Sequence, residues 1–387
     1  MDVIFLFWLS ALVLAWTWIG YPAAAFLLAR LRRRPPVEAH ASAATVVIVA
    51  RDEESSIGDK LRSLRWGGVS ELEVIVVDDG SSDGTAQVAR EHGAEVIRLE
   101  GGRGKAAALN AGVAAARHEL VVLTDARQPL SPRALECLLA PFADGMVGAV
   151  SGQLEGLSGA AGAYRRFDDA LRRAEAATAS AIGVTGALWA VRRGLFPRLP
   201  EGLILDDVYA PMYVVCAGFR VVVAPEARAI ERTAAYTPER ERARRVRTLA
   251  GNLQLLVHAP WLAVPVTNPL WWRFWSHKLL RLVGPAAIAG VTASLLTLAP
   301  RGGLWALLAA GESAGLTLAL LGGQVGRVGS LARAFLEVQV QVLEAWTWAL
   351  AGGRRELWRA SPARARRRRS SQTGRALGHA EVSHGLG

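Results

Sequence analysis

The sequence predicts an α/β domain with a mixed, Rossmann-like sheet, flanked by transmembrane helices at both ends. Within residues 45–127, short apolar runs alternate with helical segments, and two of the runs end in acidic turns. The run Leu120-Val121-Val122-Leu123 lacks polar alternation, as expected for a strand that is covered on both faces. Apolar stretches long enough to cross a bilayer precede and follow this region.

The domain itself is expected to cover residues 45–256. Strands are predicted at Thr45–Ala50, Glu73–Val77, Glu95–Leu99, Glu119–Thr124 and Val147–Gln153. Helices are predicted at Ser55–Leu64, after caps at Ser82 and Asp83, at Lys105–Arg117 and at Ala134–Phe142. This alternation is typical of successive βαβ units, so helices are expected on both sides of the sheet.

The N-terminal segment, residues 1–29, is typical of a spanning helix. Val3–Ala29 is apolar throughout and exceeds the length of a signal-peptide core. No basic region precedes it, and the cluster Arg30-Leu31-Arg32-Arg33-Arg34 follows it. The positive-inside rule therefore places residue 30 onward in the cytoplasm. Residues 30–44, which include Pro35-Pro36, are expected to form a basic linker.

After Leu256 the character of the chain changes. Residues 257–278 mix aromatic side chains with cations, which predicts an interfacial amphipathic segment with cations reaching toward water. An amphipathic helix of the protein core is the alternative. Residues 279–350 are expected to form the C-terminal membrane region, with spanning helices at Leu279–Leu298 and Leu304–Leu321.

A third apolar stretch, Leu331–Leu350, leaves the topology open. Its residues Glu337, Gln341 and Glu344 form one polar face, which lines a pathway, packs against a neighbouring helix or lies in the interface. A third span would put the basic tail, residues 351–387, outside and against the positive-inside rule, whereas an interfacial helix would keep it cytoplasmic. We favour a third span. The tail is expected to be disordered.

Charge and cysteine content restrict the possible partners. The formal net charge is +11, and the basic clusters at residues 30–34, 240–247 and 364–369 lie next to or beyond apolar segments. No zinc, helix-turn-helix or single-strand-binding motif accompanies them, so we expect anionic lipid headgroups and diphosphates as partners and no nucleic acid. Cys137 and Cys216 lie in apolar stretches, which favours buried thiols over a disulfide or a metal site.

Two acidic turns mark the expected ligand-binding edge of the sheet. One strand ends in Asp78-Asp79-Gly80-Ser81 and a later one ends in Thr124-Asp125. Ligands of open α/β sheets collect at the carboxyl ends of parallel strands. One carboxylate there can recognise a nucleoside, while the other can hold Mg²⁺ or Mn²⁺ against a diphosphate. The flexible basic segment Gly101–Lys105 suits phosphate, so the sequence predicts a nucleotide-sugar site.

Six motifs in the right order carry a resemblance to a known family. They are Val46-Val47-Ile48-Val49-Ala50-Arg51-Asp52-Glu53-Glu54, Val77-Asp78-Asp79-Gly80-Ser81, Gly104-Lys105-Ala106-Ala107-Ala108-Leu109-Asn110-Ala111-Gly112, Thr124-Asp125-Ala126, Thr185-Gly186-Ala187 and Leu205-Asp206-Asp207. From about residue 45 to residue 281 the chain resembles the inverting family-two glycosyltransferases, specifically their membrane-embedded bacterial members. The resemblance implies a GT-A-type nucleotide-diphospho-sugar transferase fold.

The resemblance also implies an activity. Such an enzyme transfers a sugar with inversion from a nucleoside-diphosphate sugar, here expected to be a UDP-sugar, to a saccharide or lipid-linked acceptor. The setting would be polysaccharide biosynthesis for the cell envelope, by a multi-pass protein of the inner or plasma membrane whose catalytic domain faces the cytoplasm. The alternatives are a polyprenyl-phosphate glycosyltransferase and a catalytically silent membrane scaffold.

On the donor side, the resemblance assigns nucleobase recognition to Asp79, with Asp52 and Glu53 flanking the pocket. Lys105 resembles the phosphate-side lysine, and Arg247 aligns with an arginine that contacts the diphosphate. Plainer roles are open for some of these residues. Lys105 can be a solvated residue of a first helical turn, and the basic stretch around Arg247 can rest on anionic lipid.

Asp125 resembles the metal ligand of the family, which implies Mg²⁺ or Mn²⁺ as cofactor. The common pattern has a second carboxylate two residues later, where this sequence has Arg127. Either another carboxylate or the substrate completes the coordination shell, or the Arg127 guanidinium takes over part of the charge neutralisation. Metal dependence is therefore expected, but on weaker grounds than in the common pattern.

On the acceptor side, Asp207 is the candidate general base, and Asp206 beside it tunes its pKa or caps the following helix. Gly186 is expected to line the acceptor pocket or to form a bend at a strand edge. Arg244 stands where membrane synthases carry a glutamine and is assigned to acceptor binding. Thr248 replaces a tryptophan that supports the acceptor sugar in processive synthases, which argues against long-chain synthesis.

Overall fold

The computed structural model describes residues 2–31, 43–65, 68–156, 159–231 and 238–351. A seven-stranded sheet with the order β3-β2-β1-β4-β6-β5-β7 forms its centre. The strands are β1 (Ala43–Ala50), β2 (Glu71–Asp78), β3 (Glu95–Arg98), β4 (Leu120–Asp125), β5 (Val147–Glu155), β6 (Leu188–Arg192) and β7 (Arg220–Ile230). All five strands predicted from the sequence are present, with ends that differ by at most two residues.

The sheet is mixed, as the sequence predicts. Strands β3, β2, β1 and β4 run parallel, β6 runs antiparallel to β4 and β5, and β7 runs parallel to β5. In register, Ala50 of β1 lies opposite Asp78 of β2, and Val49 lies opposite Asp125 of β4. The two predicted acidic turns therefore flank the end of β1 at one edge of the sheet.

Helices cover both faces of the sheet and continue beyond it. They are α1 (Val3–Ala15), α2 (Tyr21–Leu31), α3 (Glu54–Leu64), α4 (Thr85–Glu91), α5 (Lys105–Ala115), α6 (Ala134–Leu139), α7 (Gly159–Thr178), α8 (Asp206–Cys216), α9 (Pro238–His258), α10 (Trp271–Phe274), α11 (Leu280–Leu282), α12 (Gly284–Leu298), α13 (Gly303–Leu321) and α14 (Gly326–Leu350). Side chains of β1 alternate between two cores. Val46 and Ile48 pack with α3 and α6, whereas Val47 packs with α5, α8 and α9.

Several helix ends differ from the sequence prediction. Helix α3 begins one residue earlier, at Glu54, and α5 ends at Ala115 instead of Arg117. Helix α4 begins at Thr85, where the Asp83 carboxylate accepts a hydrogen bond from the Thr85 amide at 3.1 Å, while the Ser82 hydroxyl donates to Asp52 instead. Helix α6 ends at Leu139 and continues as a 3₁₀ turn, Ala140–Ala143. Both cysteines are free thiols and partly buried, as predicted.

A buried lysine supports the loop that follows β4. Lys60 on α3 is fully buried, and its Nζ donates hydrogen bonds of 2.7 Å to Thr124 Oγ1 and to the Gln128 carbonyl. Burial lowers the pKa of Lys60 to about 7, although the charge of Asp125 opposes the shift. Lys60 therefore links α3 to Thr124 and Gln128, which lie before and after Asp125 in the sequence.

Lys60→Met is expected to destabilise the protein by about 2 kcal/mol near neutral pH, because it leaves the Gln128 carbonyl without its donor. The difference in the free energy of unfolding between wild type and Lys60→Met should grow between pH 7 and pH 9.5. The unfolded lysine binds its proton up to about pH 10.5 and the folded one only up to about pH 7, so wild-type stability rises with pH across this window. Tryptophan-monitored unfolding in EDTA measures both effects. A difference that stays constant or shrinks over this window would mean that buried Lys60 keeps its charge.

The described residues contain two helical stretches long and apolar enough to cross a membrane, Val3–Leu31 and Gly303–Leu350. The first joins α1 and α2 through a π-helical turn, and the second contains α13 and α14 joined by the 3₁₀ turn Gly322–Val325. Helix α1 packs along α12, where Phe7 contacts Leu295 and Leu298. Residues 32–42 of the predicted linker (30–44) and residues 352–387 of the predicted tail (351–387) lie outside the described residues.

The predicted spanning helix Leu279–Leu298 is not continuous in the structure. The chain bends by 64° between the helical segments Trp271–Leu282 and Gly284–Arg301. Gly284 and Pro285 start α12, and proline cannot continue a preceding helix because it lacks the amide donor. Taken together, the bent pair would make a third span.

Part of the segment predicted to be interfacial is buried instead. Arg273 lies beneath α7 and donates hydrogen bonds to Thr178 Oγ1 at 2.6 Å and to the Glu175 carbonyl at 2.8 Å. His277 is also buried, whereas Trp271 and Trp275 are exposed. Trp271 and Trp275 therefore point outward as predicted for an interfacial segment, whereas Arg273 forms hydrogen bonds inside the protein.

The polar face of α14 packs against the α/β domain, one of the three possibilities left open by the sequence. Helix α14 contacts α9, and Glu344 pairs with Arg242 on that helix. Gln341 is buried, while Leu343 and Leu350 on the other side are exposed. The helix therefore turns its polar side toward the domain and its apolar side outward.

Candidate active site

One cavity of about 570 Å³ joins the edge of the sheet to the helices that follow the domain. Its donor end is lined by Arg51, Gly102–Ala106, Asp125 and Gln128. The opposite end, which we call the membrane end, is lined by residues of α7, α9, α14 and the segment around Lys278. The acidic pair at the start of α8 lies between the two ends.

Lys105 connects two of the carboxylates in the cavity. It is the first residue of α5, and its Nζ lies 3.2 Å from Asp125 Oδ1 and 3.5 Å from Asp206 Oδ2. Burial raises the pKa of Asp206 to about 6, where Lys105 opposes the shift and the charge of Asp207 adds to it. The lysine therefore holds the end of β4 and the start of α8 together across the site.

Asp207 has a carboxylate oxygen that is not used in a hydrogen bond within the described part of the chain. Its Oδ1 is buried and makes no hydrogen bond with any described residue. Gly186 lies opposite, since a Cβ built on this glycine would sit 3.4 Å from Lys105 Nζ and 3.7 Å from Asp207 Oδ2. The absence of a side chain at Gly186 thus leaves open the space in front of Asp207.

Asp79 is fully buried and organises the phosphate-side loop. Both of its carboxylate oxygens accept hydrogen bonds of 3.0 Å from the Gly104 amide, and Arg51 lies 3.6 Å away. Gly104 adopts a φ of 93°, which a residue with a Cβ rarely adopts, so glycine is required for this contact. Through Arg51 and Gly104, Asp79 supports the donor end without lining it.

Asp52 and Glu53 form a second supporting pair behind the donor end. Asp52 adopts a φ of 53°, and its Oδ1 accepts a 2.8 Å hydrogen bond from the Ser82 amide. Glu53 forms an ion pair with Arg127, and burial raises the pKa of Glu53 although Arg127 opposes the shift. Arg127 is thus committed to Glu53 and does not line the cavity.

Helix α9 contributes arginines to the other wall. Arg244 lies 3.4 Å from Glu241 one turn earlier, whereas no described carboxylate lies within ion-pairing distance of Arg247. Burial and the neighbouring Arg244 lower the pKa of Arg247, and the charges of Asp125, Asp206 and Asp207 act in the opposite sense. Arg247 therefore lies within electrostatic range of Asp125, Asp206 and Asp207.

The structure brings most of the sequence-predicted site residues together. The cavity is lined by Lys105, Asp125, Gly186, Asp206, Asp207, Arg244 and Arg247. Asp52, Glu53 and Asp79 do not line it and act through the loops that they hold. The expected roles of all these residues stay predictions.

Sequence reasoning missed a buried polar network at the membrane end. Asp168 on α7 pairs with Arg172 at 3.0 Å and with His277 Nε2 at 3.2 Å, and His277 Nδ1 lies 2.8 Å from Glu175 Oε1. Glu175 also accepts a hydrogen bond from Tyr21 on α2. Helix α7 carries no motif of its own, so nothing in the sequence singled out this cluster.

The residues present fit a divalent metal held jointly with a substrate. The described residues contain no group of three or more histidine, cysteine or acidic side chains arranged to hold a metal. Asp125 nevertheless opens onto the cavity with its side chain 40% exposed. Mg²⁺ and related ions commonly bind one or two carboxylates together with substrate phosphates, which matches a single aspartate at this place.

Comparisons with known proteins agree with this geometry. Residues 45–199 match the family model described as Glycosyl transferase family 2. The chain is 33% identical over 111 residues to a poly-beta-1,6-N-acetyl-D-glucosamine synthase of Staphylococcus epidermidis, covering 27% of each chain. It is 49% identical over 55 residues to a 4,4'-diaponeurosporenoate glycosyltransferase of Staphylococcus aureus (strain USA300), covering 14% of each. The chain thus matches about a quarter or less of these curated relatives.

One solved structure is similar over nearly its whole length. It is the mannosyltransferase PcManGT from Pyrobaculum calidifontis in complex with GDP-Man and Mn²⁺. The identity is 25% and the TM-score 0.67, with 88% of this chain and 99% of that chain covered. Because the similarity covers so much of this chain, it includes helices outside residues 45–199. The GT-A-type mixed α/β fold expected from the sequence is thereby confirmed.

Proposed function

Because residues 45–199 form a glycosyl transferase family 2 domain, we propose that this protein is a membrane-bound inverting glycosyltransferase. Its donor is a nucleoside-diphosphate sugar, and its acceptor is a saccharide or a lipid-linked acceptor. The observation that carries the proposal is the meeting of Lys105, Asp125, Asp206 and Asp207 in one cavity. A catalytically silent scaffold would not need these four charges together, since burying charges costs free energy.

The reaction follows from the arrangement of these side chains. The acceptor hydroxyl loses its proton to Asp207, and its oxygen forms a bond to the anomeric carbon of the donor sugar. The bond from that carbon to the diphosphate oxygen breaks on the opposite face, and the nucleoside diphosphate leaves with the electron pair. Asp207 suits the first step because its Oδ1 has no hydrogen bond to a described residue.

The negative charge on the leaving diphosphate is neutralised by cations that face the donor. Lys105 lies 3.2 Å from Asp125, and the charges of Asp125, Asp206 and Asp207 act on Arg247. Both cations can turn to phosphate oxygens when the donor is bound. Asp125 would hold Mg²⁺ or Mn²⁺, which supplies further neutralisation of the diphosphate. Asp79, through Gly104 and Arg51, shapes the loop that receives the nucleotide.

The surrounding helices support a membrane location. The stretches Val3–Leu31 and Gly303–Leu350 have the length and composition of spanning helices. The basic cluster after α2 in the sequence, Arg30 to Arg34, places the domain on the cytoplasmic side by the positive-inside rule. Transfer would then occur at the inner face of the cell membrane, with membrane lipids around the helices.

The proposal is tested with the full chain in phosphatidylcholine nanodiscs and a panel of UDP- and GDP-sugars with Mn²⁺. Released nucleotide is measured with and without a membrane-lipid extract as acceptor source. At least one sugar should give release that requires wild-type Asp207 and is lost in Asp207→Asn. If no sugar gives more release than Asp207→Asn, while the nucleotides bind both proteins equally, the transferase proposal is rejected.

A further inference from the structure

The membrane end of the cavity carries an excess of positive charge. Seven cationic side chains line it, namely Arg165, Arg172, Arg244, Arg245, Arg247, Lys278 and Arg281, against three carboxylates, Asp168, Glu175 and Glu241. Those carboxylates are already engaged. Asp168 pairs with Arg172 and His277, Glu175 with His277 and Tyr21, and Glu241 with Arg245. Each of them therefore already has a partner, and Glu175 Oε2 alone among the oxygens of this carboxylate makes no hydrogen bond with a described residue.

Arg165, Arg247 and Lys278 form no ion pair with a described carboxylate, and Arg247 is already assigned to the donor diphosphate. No carboxylate of the described residues lies within 4 Å of the charged groups of Arg165 and Lys278. Both side chains are partly buried. Burial lowers the pKa of Arg165 to about 10, and the neighbouring Arg244 adds to the shift. An uncompensated charge in such a place is unfavourable unless an anion joins it.

Neutral polar groups face the same space. Gln341 on α14 is buried, lines the cavity and has an Oε1 without a hydrogen-bond partner among the described residues. Asn252 on α9 is buried in the same wall, and its Oδ1 likewise lacks a partner there. An amide oxygen without a partner can accept a hydrogen bond from a ligand hydroxyl group.

The wall beyond these groups is apolar. Val338 and Trp348 of α14 complete the cavity lining. The same helix exposes Leu343 and Leu350 on its outer side and belongs to a stretch with the composition of a membrane span. A ligand that reaches the cations from this side therefore meets an apolar surface first.

We propose that the membrane end binds an acceptor whose phosphate group is joined to an apolar chain. Arg165 and Lys278 hold the phosphate by charge-assisted hydrogen bonds, and α14 contacts the chain. Asn252 and Gln341 receive hydroxyl groups of the part that approaches Asp207. This inference rests on the proposed function, because it names the class of acceptor for the same cavity.

Binding is measured by calorimetry with dodecyl phosphate on the full chain in phosphatidylcholine nanodiscs. Saturating UDP or GDP, whichever binds, and Mn²⁺ are present, so that the donor end is filled and the probe reports on the membrane end. Wild type should bind dodecyl phosphate more tightly than inorganic phosphate. Lys278→Gln and Arg165→Gln should each weaken the binding of dodecyl phosphate about tenfold, the scale of one lost charge-assisted hydrogen bond, without changing nucleotide affinity.

The matched control is Arg166→Gln, which removes an exposed arginine next to Arg165 that does not line the cavity. Its binding of dodecyl phosphate should equal that of wild type. Equal loss in all three variants would indicate surface attraction and overturn the proposal. Equal affinity for inorganic phosphate would overturn the apolar part of the site. Loss of binding when nucleotide is added would show that these cations serve the donor.

The two proposals fail in different ways. If nucleotide binds and sugar transfer occurs, but dodecyl phosphate does not bind, only the acceptor inference is wrong. If neither UDP nor GDP binds wild type, the donor site and the proposed function are wrong.

Discussion

Asp207→Asn is expected to lower sugar transfer by roughly 10²-fold or more while leaving donor binding unchanged. An amide of the same shape cannot take the proton of the acceptor hydroxyl. The side chain lies opposite Gly186 and apart from the donor-end residues Arg51 and Gly104, so nucleotide binding at that end should survive. Rates at saturating donor, together with calorimetry of nucleoside diphosphate binding, separate the two effects.

Asp206→Asn is the internal control for this result. Asp206 is buried and paired with Lys105, so its loss should shift the position of that lysine and reduce transfer less than the loss of Asp207. If Asp206→Asn is inactive and Asp207→Asn is close to wild type, the roles are reversed. If both variants transfer sugar at the wild-type rate, the acidic pair is structural and the mechanism is wrong.

Asp125→Asn is expected to remove most turnover, roughly 10²-fold or more, and to abolish the dependence on added Mn²⁺ or Mg²⁺. A neutral amide oxygen is a far weaker ligand for a divalent cation than a carboxylate. The same change frees Lys105 from the nearer of its two carboxylates. Transfer rates as a function of Mn²⁺ concentration, and nucleotide binding with and without Mn²⁺, measure the loss.

Asp59→Asn serves as the control, since Asp59 pairs with Arg62 on the surface of α3 and does not line the cavity. It should behave like wild type in both measurements. Wild-type turnover that persists in excess EDTA would contradict the metal assignment. In that case Arg127 would have to release Glu53 before it could neutralise the diphosphate in place of a metal, because its guanidinium is bound to Glu53.

The sequence predicted those parts of the site that follow from the sheet. Apolar runs without alternation identified β1 and β4 as covered strands, and parallel neighbours end at the same edge. It follows that Asp78 and Asp125 must flank the end of β1, as the register shows. Motif order then placed Lys105 and Asp207 near them, and the cavity contains both.

Contacts between distant segments could not be predicted in this way. Arg127 and Glu53 pair across 74 positions, and no local pattern distinguishes an arginine that pairs from one that binds phosphate. The mixture of tryptophan and cations around Arg273 is equally typical of an interface and of a buried contact. The acceptors of Arg273 on α7 decide for burial, and they lie 95 and 98 positions earlier, at Thr178 Oγ1 and the Glu175 carbonyl.

The network around Glu175 makes it difficult to separate the α/β domain from the helices that precede and follow it. Glu175 is buried within α7, yet its partners Tyr21, Arg273 and His277 all lie outside residues 45–256. A fragment limited to those residues would lose the start of β1 and would expose the face of α7 that these segments cover, including Leu171 and Ala174, which pack with Tyr21 and Ala25. Catalytic and membrane-associated halves should therefore unfold in a single cooperative transition, and a soluble catalytic fragment should not be obtainable by truncation alone.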